Sequence, residues 1–301
     1  MKYAIGIDIG GTKIAAGIVN EKGDLIQKEV VKSDPSDKEN MFNQVMACVK
    51  LLLNHSSIPL QEIYGVGVGI PGKVDIQKGV AVFQNNLPWR NFPIVERLKQ
   101  ELNISNIVID NDVYMAAFAE WKHTNLGEKD LLVYCTVSTG IACSTIQGGK
   151  FIRGAGFAGE LGLVPVYTPR KESHLNRLEL IASGPALEKH AIAVYDNDSM
   201  STEDLFSLYT DGDDKAITLL DEFAASLAHG IYMITSLLDP HLIVFGGSVI
   251  THNPFVINLV REKLATLIIE EQNHSLLDMT VSNLGNDQGV IGAGLRVMDL
   301  S

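Results

Sequence analysis

A chain of 301 residues, 46% hydrophobic and 20% charged, has the composition of a soluble, core-forming protein with room for two domains of about 150 residues each. Its 24 Lys and Arg against 36 Asp and Glu leave a formal charge of −12. That excludes nucleic acid and anionic membrane as general partners without forbidding a local cationic site for phosphate. Cys48, Cys135 and Cys143 include no CxxC pair and set up neither a disulfide framework nor a thiolate metal site. With no charged-then-apolar leader and no apolar run near the roughly 20 residues that span a bilayer, the chain is expected in the cytoplasm.

The elements begin at once. Met1 to Ile7 reads as a buried strand, Asp8-Ile9-Gly10-Gly11-Thr12-Lys13 as a tight polar turn, and Ile14 to Val19 as a second strand. Strand, glycine turn and strand make a hairpin, not a Walker loop. The two glycines tolerate positive φ and let backbone N–H groups approach an anion. Asp8 can hold a metal directly or through water, and Thr12 and Lys13 add a hydroxyl and a cation, the parts that a nucleotide with Mg²⁺ requires.

Asp24 to Val31 follows as a third strand, and apolar residues at Met41, Val45, Val49, Leu52 and Leu53 predict a helix over 40–55. Ile63 to Ile70 is a glycine-rich strand stopped by Pro71-Gly72. Gly67 to Gly72 matches GxGxxG formally, but no helix or spaced acid follows, so a dinucleotide site is rejected. Closely spaced glycines at a strand end are read instead as room for a ligand against the backbone. Ile107-Val108-Ile109 is a strand, Asp110-Asn111-Asp112 comes next, and 113–122 is a helix.

The second half opens like the first. Leu131 to Val137, Ser138-Thr139-Gly140 and Ile141 to Ile146 repeat strand, turn and strand, an internal-repeat signal that would aim two turns into one cleft if the halves face each other. Residues 151–180 read as glycine-rich loop, then a helix starting near Leu178. Residues 186–237 are largely helical with a break at 196–199. Leu242 to Phe245 is a strand running into Gly246-Gly247, residues 255–271 are helical, 279–281 a short strand, and 285–298 a closing helix. Strands alternating with helices define an α/β protein.

Asp112 follows a buried strand, where ligands bind in open α/β sheets. A carboxylate there can take the proton of an attacking hydroxyl in phosphoryl transfer; the plainer reading is that Asp110 or Asp112 caps the helix. Asn111 can bond a polyol. Glu160, flanked by small residues, and Glu179, ahead of Ser183-Gly184-Pro185, suit sugar hydroxyls or simply face water. At Gly246-Gly247 a flat base or ribose could approach the backbone, or the segment is an ordinary β-to-α turn.

Taken together, these stretches resemble the ROK family of bacterial sugar kinases and repressors, within the actin-like ATPase superfamily, over essentially the whole chain. Asp8 to Lys13 is similar to the family's first phosphate motif and Ser138-Thr139-Gly140 to its second. Gly69-Ile70-Pro71-Gly72 and Asn86-Leu87-Pro88-Trp89 resemble its sugar-side loops, and Asn111-Asp112 its pair carrying the catalytic base. Gly159-Glu160-Leu161-Gly162 and Glu179 match its sugar-contacting carboxylates. Leu238-Asp239-Pro240 through Gly246-Gly247 resembles the adenosine segment, and Leu284 to Asp287 the C-terminal motif.

The resemblance implies a two-domain actin-like, ribonuclease H-like fold with duplicated β-sheet cores around a central cleft. The domains are expected at 1–113, with the helix of 286–301 packing back on it, and 114–285. It implies ATP and Mg²⁺, with Asp8 on the metal and Gly10, Gly11, Thr12, Lys13, Ser138, Thr139, Gly140, Gly246 and Gly247 around the nucleotide. Asp112 is the base, and Gly72, Asn86, Asn111, Asp112, Glu160 and Glu179 hold the sugar. It further implies a homodimer.

Two departures stand out. Leu163 occupies the position of a family His that serves both sugar and a structural zinc, and 171–179 keeps only the end of the zinc motif CxCGxxGCxE. No cysteine lies beyond Cys143, so no zinc is expected. The repressors' helix-turn-helix has no room before Asp8. The expectation is a kinase acting on a hexose hydroxyl, O6 of glucose, fructose or an N-acetylmannosamine-like sugar. A β-glucoside or disaccharide kinase is the alternative, and a non-catalytic sugar-binding regulator the second.

Overall fold

The computed structural model describes residues 1–84, 86–167 and 175–300. The chain divides into two compact units, one of Met1–Asn125 with Asp287–Ser301 and one of Leu126–Asn286.

In the first unit, β1 (Tyr3–Ile9), β2 (Lys13–Asn20), β3 (Leu25–Lys32), α1 (Lys38–His55), β4 (Ile63–Ile70), β5 (Lys73–Asp75), β6 (Val80–Phe83), β7 (Arg90–Phe92), α2 (Ile94–Leu102), β8 (Ile107–Asn111) and α3 (Asp112–Lys122) follow in order. The main sheet runs β3-β2-β1-β4-β8, with antiparallel pairs on the β3 side and parallel ones from β1 to β8. The two-residue period of a strand sorts its side chains. Ile5, Ile7 and Ile9 of β1 and Val66, Val68 and Ile70 of β4 join Phe42, Val45, Val49 and Leu52 of α1 in one core.

The opposite face is built for close helix approach. A Cβ on Gly67 would fall 1.8 Å from the Ala293 carbonyl oxygen, and one on Gly292 would fall 1.7 Å from that of Met115. The glycines of β4, read from sequence as room for a ligand, therefore mostly admit the closing helix.

The second unit holds β9 (Leu131–Val137), β10 (Ile141–Gln147), β11 (Lys150–Phe151), β12 (Pro165–Tyr167), β13 (Leu175–Arg177), α4 (Glu179–Ala182), α5 (Gly184–Tyr195), α6 (Thr202–Thr210), α7 (Asp214–Leu238), β14 (Leu242–Gly246), α8 (Ser248–His252), α9 (Val256–Leu264), α10 (His274–Leu277) and β15 (Met279–Val281); α11 (Gln288–Asp299) returns to the first unit. Its main sheet, β11-β10-β9-β14-β15, repeats the first sheet's sequence of antiparallel, antiparallel, parallel and parallel pairs. Helix α7, 25 residues, is long and apolar enough to cross a membrane by length and composition, which the sequence reading did not anticipate. Leu219, Leu220, Phe223, Leu227 and Ile231 bury it in the unit's own core.

Several expectations are corrected. The contact boundary falls after Asn125 rather than after residue 113, because α3 is held to α11 by the Met115–Gly292 approach. The helix expected over 255–271 stops at Leu264, and 151–180 contains the β12–β13 hairpin. The sheet β5-β6-β7 is new. Trp89, placed in a sugar-side loop by resemblance, is fully buried, stacks on Phe92 with ring centroids 4.8 Å apart, and donates to the Lys38 carbonyl.

Candidate active site

In the first unit the chemistry collects where the parallel strands end. Asp8 pairs in register with Gly69, and Gly69 with Asp110. Asp8 shares the glycine face of the sheet, so its carboxylate meets the start of α11: a Cβ on Gly289 would lie 2.7 Å from its carboxyl carbon. A Cβ on Gly69 would sit 3.3 Å from the Asp112 Cα and 3.7 Å from Asp8 Oδ1. The bare Gly69 therefore brings Asp8 and the first residue of α3 close together. Burial lifts the Asp8 carboxyl to about 6, against the pull of Lys13 and Lys28, while Asp287 adds to the rise. Lys28 is itself paired with Asp287.

The three residues after Ile109 divide their tasks differently from the expectation. Asp110 is buried and accepts from the Asn111 N–H at 2.9 Å. The cap of α3 is Asn111, not Asp110 or Asp112. Its Oδ1 accepts from the Val113 N–H at 3.0 Å and the Tyr114 N–H at 3.4 Å, while its Nδ2 donates to the Gly72 carbonyl at 3.1 Å. Asp112 stands in the first helical turn, its Oδ1 accepting from Val113 N–H at 3.0 Å. Asn111 thus ties the Gly72 turn to the helix that carries Asp112.

At the first turn, neither Gly10 nor Gly11 uses positive φ. Gly10 donates to the Lys13 carbonyl, and Ser33 holds the turn by donating its hydroxyl to the Gly10 carbonyl at 2.6 Å and its N–H to that of Thr12 at 3.0 Å. A Cβ on Gly11 would meet that of Asn86 at 3.0 Å, so this glycine makes room for the Asn86 loop. Thr12 and Lys13 are exposed.

In the second unit, Gly159 adopts φ +99° and accepts the Cys143 N–H at 2.7 Å; a Cβ there would fall 1.9 Å from the Cys143 carbonyl oxygen. That closeness presents Glu160 beside β10. Glu179 lies against the turn, its Oε2 3.5 Å from where a Gly140 Cβ would be and 3.0 Å from that of Gly162. Desolvation, and then the Glu179 carboxylate, raise the Glu160 carboxyl above its usual range. Leu163, two residues beyond Leu161, is exposed.

The Ser138–Gly140 turn is ringed by helix starts. Gly184 N–H donates to the Ser138 carbonyl at 2.8 Å, and the Ser138 and Ser248 hydroxyls bond at 3.0 Å. Ser138, Thr139, Gly184 and Ser248 line one end of a cavity of about 770 Å³. Gly246 and Gly247 are not among its lining residues. A Cβ on Gly246 would lie 2.3 Å from Tyr134 Oη, and one on Gly247 2.4 Å from the Val137 carbonyl oxygen. At both positions an added Cβ would run into the protein's own β9.

A model of the ROK family matches residues 4–299. The chain belongs to the ROK family. It is 26% identical to the glucokinase of Halalkalibacterium halodurans, over 98% of this chain and 95% of that protein. Among solved structures it is similar to a ROK family glucokinase from Streptomyces griseus in complex with glucose and AMPPNP, at 27% identity, 99% of both chains and TM-score 0.81. It is also similar to a ROK hexokinase from Thermus thermophilus, at 29% identity, 99% of both chains and TM-score 0.79. The fold is the actin-like ATPase fold of the ROK sugar kinases.

Within this ROK chain, sequence reasoning missed Lys28, Ser248 and the far wall of the cavity. Lys28 reaches Asp287 across 259 residues of sequence, which no local pattern reports. Among the described residues no three His, Cys, Asp or Glu side chains are grouped to hold a metal ion. Residues 171–174 of the segment aligned with the zinc motif lie outside the described residues.

Proposed function

We propose that this ROK protein is an ATP-dependent sugar kinase of the hexokinase type, transferring the γ-phosphate of Mg·ATP to the O6 hydroxyl of a hexose. The observation that carries the reading is the junction of β8 and α3. Asn111 takes the cap, so Asp112 opens the helix without serving as its N-cap, and its backbone lies near Asp8, a Cβ on Gly69 falling 3.3 Å from the Asp112 Cα and 3.7 Å from Asp8 Oδ1. Asp112 accepts the hydroxyl proton as the alcohol attacks in line.

Mg²⁺ arrives with the nucleotide. Magnesium keeps most of its waters and needs only one or two protein carboxylates besides the phosphates. Asp8 fits, because a carboxyl lifted by burial gains most from a cation. The backbone of Gly10 and Gly11 and the Ser138–Gly140 turn contact phosphates, with Thr12 ahead of Lys13 in the first turn. Gly72, Asn86, Asn111, Glu160 and Glu179 orient the sugar.

Glucose leads among the acceptors because of the glucokinase relatives. Leu163, apolar and exposed beyond Glu160, removes one polar contact and leaves room for an N-acetylated hexosamine or a β-glucoside.

ADP release with Mg·ATP over a panel of mono- and disaccharides tests the reading. The wild type is expected to turn over at least one hexose, and Asp112→Asn to lower kcat by about 10²- to 10⁴-fold. A wild type that binds sugar but phosphorylates none would sink the enzyme reading in favour of a sugar-binding regulator. Full activity in the variant would reduce Asp112 to a residue of the helix start.

A further inference from the structure

Two cysteines stand opposite each other in the hairpin that carries the Ser138–Gly140 turn. Cys143 of β10 is in register with Cys135 of β9. The Cys143 N–H turns away from β9 to the Gly159 carbonyl, and further along β10 the Thr145 carbonyl turns the same way, to the Ile152 N–H. Cys143 and Cys135 are therefore a non-hydrogen-bonded pair, the kind whose Cα atoms approach to about 4.5 Å. A disulfide needs a Cα separation of roughly 4.4–6.8 Å. Directly opposed residues project from one face of a sheet, and both of these side chains enter the core of the second unit. Both are free thiols. Cys48, the third cysteine, lies apart in the core of the first unit.

We propose that Cys135 and Cys143 are an oxidative modification site: a peroxide converts them to an intrachain disulfide that closes across the base of the Ser138–Gly140 turn and lowers turnover. The fall in turnover rests on the kinase reading; the bond itself does not. Cys143, 8% exposed where Cys135 is fully buried, reacts first. Its sulfur attacks a peroxide oxygen, the O–O bond breaks, and a sulfenic acid and water result. The Cys135 sulfur then attacks the sulfenic sulfur. The S–S bond forms as the S–O bond breaks, and the departing hydroxide leaves as water with the Cys135 proton. Two electrons have passed from the two sulfurs to the peroxide. Burial holds both thiols protonated, pushing Cys143 up to about 12 with the Glu160 carboxylate adding to the rise. The first step is therefore slow and answers sustained peroxide, whereas the second is intramolecular and fast.

Closure has consequences on both sides of the hairpin. Opposed Cβ atoms about 4.5–5.5 Å apart must come to about 3.8 Å, which draws β9 and β10 together beneath the turn. A Cβ on Gly159 would already fall 1.9 Å from the Cys143 carbonyl oxygen, so the segment leading to Glu160 has no slack to absorb the movement.

The purified full chain, treated with hydrogen peroxide and then denatured, tests the bond by thiol titration. The three thiols are expected to fall to a single one, that of Cys48, and peptide mass mapping to join the segments of Cys135 and Cys143. A count that stops short of that fall, or a link to Cys48, overturns the proposal. Turnover of Mg·ATP with the preferred sugar should drop about ten- to hundred-fold on oxidation and return with dithiothreitol. Cys135→Ala and Cys143→Ala should each keep near wild-type activity before and after the same treatment, and either variant suffices if the other fails to fold. Full activity in the disulfide form, or a loss in the variants equal to that of the wild type, overturns the switch. A reduced wild type that phosphorylates no sugar removes the kinase reading, and the thiol count and peptide map then decide the disulfide by themselves.

Discussion

Asp8 carries the site's clearest pH dependence. Its carboxyl titrates near 3.8 in the unfolded chain and at about 6 in the fold, so between those values the native state holds the extra proton. Stability therefore falls as pH rises through that window, and the full penalty is present above about 6. Asp8→Asn is expected to stabilise the unliganded protein at pH 7 by about 1–3 kcal/mol in urea denaturation, and by nothing below about pH 4. The same variant should lose Mg·ATP-dependent turnover, and wild-type kcat/KM for Mg·ATP should rise with pH through about 6. At Asn111 the cap and the tie to Gly72 separate by substitution. Asn111→Asp retains the accepting oxygen and loses the donor, so it should fold with near wild-type stability; Asn111→Ala should cost about 1 kcal/mol.

Element packing turns on spaces that only the assembled unit reveals. The β4 run Gly65-Val66-Gly67-Val68-Gly69 alternates by the strand period, so its valines enter the α1 core and its glycines face α11 and α3. Gly67→Ala drives a methyl group into the Ala293 carbonyl and should destabilise by about 2–4 kcal/mol in chemical denaturation. Gly127→Ala meets nothing closer than 3.5 Å and should stay within about 0.5 kcal/mol. Equal effects at both positions would refute the packing account.

At the scale of the whole molecule, the two main sheets share one order of strand directions although their helices differ in number and length. The hairpin echo of Asp8 to Val19 at residues 131–146 was the visible trace of that repetition. The family resemblance comes with a structural zinc that this chain's three buried cysteines, none beyond Cys143, are not placed to bind. Metal analysis of the purified protein is expected to find no stoichiometric zinc, and chelator treatment to leave the melting temperature unchanged. Bound zinc at one per chain would contradict this.

What the sequence determined by itself was local or periodic. Buried strands, the long amphipathic helix of 40–55, the turn at Gly10-Gly11 and the helix after Asp112 are written in runs of neighbouring residues. Ordered together, the short motifs were enough to indicate the family. The tertiary structure decided which glycines make room for the protein's own chain, because a glycine has the same letter whatever it is packed against. Gly67 and Gly246 are filled by Ala293 and Tyr134. Only folding brings Lys28 to Asp287 and assigns the cap to Asn111 instead of its neighbours. Those choices depend on contacts between residues far apart in the chain, which no local spacing encodes.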